Sequence, residues 1–154
     1  MDFSLKRGSI IMPVQIADIM KFFGSLTEFL LIFSVFNFVV KAINKKYRKQ
    51  IQASKFKVVF NTLMKFTVKN HKLIGFAAIL FGTIHGLYEL NARGYNLSIN
   101  YILAGVLTLS CMLILGILGV YGFKFKKSKR ENWFYAHRII AGLAMVGLLL
   151  HLTQ

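Results

Sequence analysis

The sequence predicts an all-α integral membrane protein built as a four-helix bundle, and its composition is the first reason. The 154 residues are 56% hydrophobic, yet 20 Lys and Arg stand against 5 Asp and Glu. This apolar content, combined with a formal charge of +15, is typical of apolar membrane spans with basic flanks and excludes a disordered or ordinary soluble basic protein. The single Cys excludes an intrachain disulfide framework and a cysteine-rich zinc site.

Four stretches are long and apolar enough to cross a bilayer. A spanning helix needs roughly 20 mostly apolar residues, because the hydrocarbon core is about 30 Å thick and a helix rises about 1.5 Å per residue. The predicted spans are residues 22–43, 71–90, 99–123 and 134–152. Glu28 and Asn37 interrupt the first span. We expect residues 1–154 to form one transmembrane domain.

Two segments beside the first spans predict helices at the membrane surface. Pro13 followed by VQIADIMKFF indicates an N-terminal interfacial helix, and this end lacks the pattern of a cleaved secretory signal. Residues 51–70, IQASKFKVVFNTLMKFTVKN, mix apolar and basic positions and are too polar to span. We expect a basic amphipathic helix there, lying on the cytoplasmic leaflet where Lys meets anionic headgroups.

The positions of the cations predict the orientation. Ten of the 20 Lys and Arg lie within residues 41–72 and six within 124–138, while the other four are Lys6, Arg7, Lys21 and Arg93. With four spans the sixteen share one side, which the positive-inside rule makes cytoplasmic. Both termini then face outward, and the second and fourth spans run parallel. Because juxtamembrane placement explains the charge, no nucleic-acid partner is expected.

All four histidines of the chain fall in the second and fourth spans. His71 and His85 are fourteen residues apart, as are His137 and His151. At about 100° per residue each pair shares one helix face, and its members lie about 21 Å apart along the axis. Since these spans run parallel, His71 and His137 reach one inner depth, and His85 and His151 reach one outer depth.

Paired histidines at matched depth indicate haem. A lone His in a span is most simply a polar residue bonded to a neighbouring helix. Two pairs at matched depth favour haem ligands instead, because a haem iron can take two axial imidazoles, one on each face of the macrocycle. The spacing predicts an inner haem between His71 and His137 and an outer haem between His85 and His151.

The two histidine segments, NHKLIGFAAILFGTIHGLYEL and AHRIIAGLAMVGLLLHLTQ, have a common pattern. Each reads His, a basic residue, an aliphatic pair, small residues and a second His after thirteen intervening positions, which also indicates an internal repeat. They resemble the di-haem membrane cytochromes b, and most closely the ferric-reductase-like transmembrane cytochromes, over about half of the chain. The resemblance implies two non-covalent b-type haems on His71, His85, His137 and His151, and electron transfer across the membrane.

The resemblance does not identify the redox partners. The larger ferric reductases and NADPH oxidases append a flavin and nicotinamide domain, whereas no G-x-G-x-x-G follows a strand-like segment here. We therefore expect a separate electron donor, which is a flavoprotein, a quinol or a soluble reductant. The acceptor is expected outside, as ferric iron, a quinone or a partner redox protein, and a partner subunit remains open.

Several polar residues near the histidines have two interpretations. Lys72 and Arg138 each follow an inner histidine, so they either donate hydrogen bonds to haem propionates or only continue the positive-inside pattern. Arg93 is a weaker candidate for the outer haem or an acidic partner. Glu28 and Glu89 either take up protons at an outer quinol or oxidant site or lie in the headgroup layer.

Glycines in the spans either let the flat haem approach the backbone or only allow close helix packing. They are Gly75, Gly82, Gly86, Gly105, Gly116, Gly119, Gly122, Gly142 and Gly147.

Two other functions remain open. The first is a quinol- or superoxide-reactive membrane oxidoreductase with an open site beside the outer haem. The second is a haem-free metal transporter or assembly factor. Against the transporter, histidine pairs about 21 Å apart cannot form one four-ligand zinc site, and no carboxylate lies at the midplane of the predicted spans.

Overall fold

The computed structural model describes residues 14–93, 95, 100–124 and 130–153. They form four helices, α1 (Val14–Ala53), α2 (Lys57–Ala92), α3 (Asn100–Lys124) and α4 (Arg130–Leu152). Each helix contains a stretch long and apolar enough to cross a membrane. The predicted all-α class with four membrane helices is therefore confirmed for the described part of the chain. The predicted helix start at Pro13 and the basic residues Lys126, Lys127 and Lys129 lie outside it.

The first two helices extend well beyond the predicted spans. α1 begins at Val14 and ends at Ala53, and α2 begins at Lys57. Residues 44–53, NKKYRKQIQA, contain no Gly or Pro and are rich in good helix formers, so helix continues where hydrophobicity ends. A separate N-terminal helix and a separate helix over residues 51–70 are not confirmed. The second segment instead comprises the end of α1, a turn at residues 54–56 and the beginning of α2.

The helices pair as two antiparallel hairpins. α1 packs along α2 and α3 packs along α4, and the hairpins meet mainly through α2 and α3. Within the described residues, no Cα atoms of α2 and α4 approach to 8 Å. The two histidine-bearing helices therefore lie diagonally across the bundle and leave room between them.

A packed layer crosses the middle of the bundle. Its buried core consists of one residue from each helix, namely Leu31, Ala78, Met112 and Leu148. Ala78 is seven residues from both histidines of α2. Ala144, which is also fully buried, is seven residues from both histidines of α4. This layer divides the interior into an inner and an outer level, each with two histidines.

Large apolar side chains face away from the bundle on all four helices. Phe29, Leu73 and Ile117, for example, are 64%, 69% and 70% exposed. Soluble monomers rarely expose apolar surface this extensively. Lipid tails are as apolar as these side chains, so a bilayer accommodates them.

Candidate functional site

A cavity of about 390 Å³ lies at the outer level and is lined by residues from all four helices. His85 from α2 and His151 from α4 both line it. Gly82, Gly86 and Gly105, three of the glycines expected near a flat ligand, also form its walls. The volume falls within the range of roughly 300–1,000 Å³ that is usual for ligand and cofactor pockets. The structure thus brings the predicted outer histidine pair to one cavity.

His85 is held against α1. Its Nδ1 lies 2.9 Å from the carbonyl oxygen of Met20. The imidazole packs on Gly24, where an added Cβ would lie 2.9 Å from Cε1 of His85. A carbonyl oxygen only accepts hydrogen bonds, so Nδ1 carries the proton and donates it. Nε2 is therefore the ring nitrogen with a lone pair available for a metal.

His151 repeats this arrangement against α3. Its Nδ1 lies 2.7 Å from the carbonyl oxygen of Tyr101, and its ring packs on Gly105, where an added Cβ would lie 3.1 Å from Cε1. In both hairpins the glycine follows the accepting residue by four positions. A histidine that binds a metal through one nitrogen commonly donates from the other to such a carbonyl, which fixes the ring and its tautomer. Both outer histidines have this arrangement.

The repeated contact has a sequence signature that the spacing of histidines did not reveal. G-x-L-T occurs as Gly24 to Thr27 and again as Gly105 to Thr108, 81 positions apart. Both threonines are buried, and each donates to the carbonyl four residues earlier at 2.8 Å. Gly24 and the two threonines are absent from the residues predicted above. The repeated G-x-L-T segment is the sequence signal that identifies them.

His71 and His137 lie together at the inner level. Their ring centres are 6.4 Å apart and the ring planes meet at 73°. Nδ1 of each is buried without a hydrogen-bond partner among the described residues, and leaving such an atom unpaired costs about 1–3 kcal/mol. Because a metal–imidazole bond is about 2 Å long, two rings on opposite sides of one iron have centres roughly 6 Å apart. The separation of the two ring centres therefore has the size that two imidazoles sharing one iron would have.

Trp133 packs against the inner pair from one turn earlier on α4. Its ring centre lies 5.6 Å from that of His137, and the planes differ by 31°. The indole Nε1 donates to the carbonyl of Leu118 on α3 at 2.5 Å, and the ring packs on Gly122. Trp133 therefore ties the ring of His137 to a fixed point on α3.

Gly119 marks open space at the inner level. It follows Gly105 by fourteen residues, and His137 precedes His151 by fourteen. Since α3 and α4 are antiparallel, Gly119 takes the place beside His137 that Gly105 takes beside His151. No atom of the described residues would lie within 4 Å of a Cβ added at Gly119, so Gly119 borders open space at the level of the inner pair.

Two cations converge on the inner level from different helices. The guanidinium carbon of Arg138 lies 5.3 Å from the ring centre of Phe38 on α1. Lys41, one turn further along α1, lies within electrostatic reach of Arg138 and of His71. Lys72 follows His71 with an exposed side chain. Arg138 was predicted as a site residue, whereas Lys41 was counted only among the flanking charges because its neighbours are far away in sequence.

The predicted polar residues of the outer end lie around the outer cavity. Glu28, Glu89 and Arg93 all line it. Arg93 Nε lies 3.0 Å from Glu89 Oε2, and its guanidinium carbon is 5.1 Å from the ring centre of Tyr101. The cavity therefore has an apolar interior and a charged rim.

The other glycines pack helices or face open space. Gly116 packs under Ile79 and Gly147 against Thr108, while nothing lies within 4 Å of a Cβ added at Gly75 or Gly142. Cys111 on α3 is a free thiol, half-buried.

The described residues contain no group of three or more His, Cys, Asp or Glu that could hold a bare metal ion. Pairs of histidines suffice for haem, because the macrocycle supplies the other ligands and the protein only the axial ones.

Comparison of the chain with protein-family models, with curated proteins and with solved structures finds no match.

Proposed function

We propose that this protein carries electrons across a membrane through two non-covalent b-type haems, as the ferric-reductase-like cytochromes do. One observation carries the proposal. His85 and His151 come from diagonally placed helices, line one cavity, and both bind a backbone carbonyl through Nδ1. Two imidazoles held in this tautomer present Nε2 to a shared ligand.

Each histidine pair holds one iron in this proposal. His85 and His151 would hold the outer haem, and His71 and His137 would hold the inner haem. Bound haem would supply one-electron chemistry between ferric and ferrous iron. The packed layer with Ala78 keeps the two levels separate, about 21 Å apart by helix rise.

The cations of the inner level would bind the propionates of the inner haem. Arg138 and Lys41 converge there, and Lys72 follows His71. Charge-assisted hydrogen bonds from such side chains to carboxylates are among the stronger ones in proteins. The described carboxylates that line the outer cavity, Glu28 and Glu89, belong to the opposite end of the bundle.

The sidedness follows from the positive-inside rule. Sixteen of the 20 cations flank the inner level, which supports an inner level at the cytoplasmic face with both termini outside. A cytoplasmic or quinol donor then reduces the inner level, and the outer level serves an acceptor such as ferric iron, a quinone or a partner redox protein.

A second candidate is a quinol- or superoxide-reactive oxidoreductase. The rim of Glu28, Glu89 and Arg93 around the outer cavity favours it, because a small polar substrate would meet charged groups there. Turnover of purified protein with quinol alone would support this candidate over simple electron transfer.

The first test is a reduced-minus-oxidised visible spectrum with a pyridine haemochrome assay on detergent-purified protein. We expect about two b-type haems per chain, one per histidine pair. His85→Ala should lose the outer haem and keep the inner one, and His71→Ala should do the reverse. Protein expressed with ample haem that binds none would overturn the proposal and leave a metal transporter or assembly factor. Equal loss of both haems in either variant would contradict independent pairing.

A further inference from the structure

The end of the first hairpin extends further past the inner histidines than the described start of α4 does. We call residues 44–63, which are the end of α1, the turn and the beginning of α2, the arm. α2 begins fourteen residues before His71, whereas α4 begins seven residues before His137. Because the two histidines lie at one level, α2 extends about 10 Å further than α4 beyond that level, on the side away from the outer cavity.

α2 keeps the direction of its membrane-spanning part through the arm, whereas α1 is kinked at Tyr47. α2 is one helix of 36 residues, about 54 Å long, against a hydrocarbon core of about 30 Å. Membrane helices tilt by about 20° on average, which does not bring such an extension down to the bilayer surface. A basic helix lying on the leaflet would need a break in α2 before His71, and α2 has none. With α2 unbroken, the arm is therefore expected to extend past the bilayer surface into water.

Hydrogen bonds at the tip close the end of α1 and join it to α2. Ser54 donates to the carbonyl of Ile51 from both its backbone nitrogen, at 3.1 Å, and its hydroxyl, at 2.9 Å. Gln52 Nε2 donates to Asn61 Oδ1 at 3.3 Å across the turn. These bonds make the tip a defined surface.

All charged residues of the arm are basic. Its cations are all exposed, and they are Lys45, Lys46, Arg48, Lys49, Lys55 and Lys57. No Asp or Glu occurs in the sequence between Glu28 and Glu89. The arm therefore carries an uncompensated positive charge that attracts acidic surfaces over about a Debye length.

An apolar patch lies at the tip among these charges. Phe56, Val58 and Val59 are 75%, 73% and 67% exposed. An apolar centre with a charged rim is the usual composition of a protein–protein interface, and aromatic side chains at the centre carry much of its affinity. A surface that bound its partner through charge alone would not require exposed apolar side chains.

We propose that the arm docks the acidic face of a soluble protein, with the apolar patch at the centre of the contact. We identify this partner as the electron donor for the inner histidines, and that identification rests on the proposed function. The docking itself does not depend on haem.

The first experiment locates the tip. In a Cys111→Ser background, Val58→Cys labelled with bimane is reconstituted into vesicles of phosphatidylcholine and phosphatidylglycerol. We expect iodide in the buffer to quench the fluorescence and spin-labelled lipids to leave it unchanged. Quenching by the lipid labels would place the arm on the leaflet and overturn the proposal.

The second experiment measures docking. The protein in phosphatidylcholine nanodiscs is titrated with flavodoxin, an acidic soluble flavoprotein, as the probe. We expect binding that weakens about tenfold or more as salt rises from about 50 to about 500 mM. Lys57→Glu should weaken it several-fold, and the triple change Lys49→Glu, Lys55→Glu and Lys57→Glu should abolish it.

Two comparisons make this result specific. Lys21→Glu reverses the same charge at an exposed position on the opposite end of α1 and should bind as wild type does. Phe56→Ser should weaken docking at low and high salt alike, because it removes apolar contact without changing charge. Absence of flavodoxin binding, or equal binding by wild type and the triple variant, would overturn the proposal. Docking by wild-type protein that takes up no haem even when haem is supplied would uphold the interface and refute the donor role.

Discussion

At the scale of single residues, the contact between glycine and histidine decides where a ligand can bind. Each outer imidazole needs a carbonyl to orient it and a residue without Cβ to let it approach that carbonyl. Gly24 and Gly105 meet this need from different helices. The absence of a side chain is therefore as much a part of the site as the imidazoles.

Gly24→Ala should disturb the outer haem alone. The added methyl would lie 2.9 Å from Cε1 of His85, so the ring must move away from Met20. We expect loss of the outer haem, or a changed low-spin electron paramagnetic resonance signal from it, with the inner haem retained. Gly142→Ala is the matched control, since nothing lies near it and Ala in place of Gly favours a helix by up to about 1 kcal/mol. An unchanged outer haem in Gly24→Ala would refute this role.

Trp133 should act as a positioning residue for His137. Trp133→Phe removes the hydrogen bond to Leu118 and part of the contact with the imidazole. We expect the midpoint potential of the inner haem to shift by tens of millivolts while the outer haem stays unchanged, which redox titration would measure. Tyr135→Phe, at an exposed aromatic position two residues away, should leave both potentials unchanged. Equal shifts in both variants would indicate a general effect on α4.

At the scale of helices, the two hairpins are versions of one unit. In each, the second helix carries histidines fourteen residues apart, and the first carries the G-x-L-T segment against the outer histidine. The units differ at the inner level, where Gly119 on α3 corresponds to Phe38 on α1. The ring of Phe38 supports Arg138 instead of leaving open space.

The middle layer should be sensitive to side-chain size. Ala144 is fully buried and Ala78 nearly so. Ala144→Leu must displace the side chains that bury this position, which we expect to destabilise the fold by about 1–3 kcal/mol. Thermal unfolding in detergent, followed by circular dichroism, would show a lower midpoint. Val146→Leu, on the exposed face of the same helix, should leave the midpoint unchanged, and the same drop in both would contradict close packing at Ala144.

At the scale of the whole molecule, the proposed function predicts that the two levels act in series. In liposomes containing ferricyanide, an impermeant reductant outside should reduce the trapped oxidant only when both haems are present. We expect His71→Ala and His85→Ala each to lower the rate to that of empty vesicles, although each keeps one reducible haem. Transfer at the wild-type rate by either variant would show that the two levels do not form one path.

The sequence by itself determined the four membrane helices and the division of four histidines into two levels. Both follow from properties of a single helix: hydrophobic length sets the spans, and fourteen residues return a side chain to one face about 21 Å away. The basic flanks likewise show in composition alone.

Only the tertiary structure decided which residues meet across helices and where the helices end. Gly24 reaches His85, and Lys41 reaches Arg138, because of the register between helices, which no spacing within one helix specifies. Hydrophobicity marks the limit of the bilayer, but α1 continues through Lys, Arg and Gln beyond that limit, with a kink at Tyr47, and ends where Ser54 bonds back to the carbonyl of Ile51. The arm beyond the inner histidines is therefore a property of the folded hairpin, in which α1 and α2 pack along each other past the end of the apolar stretch.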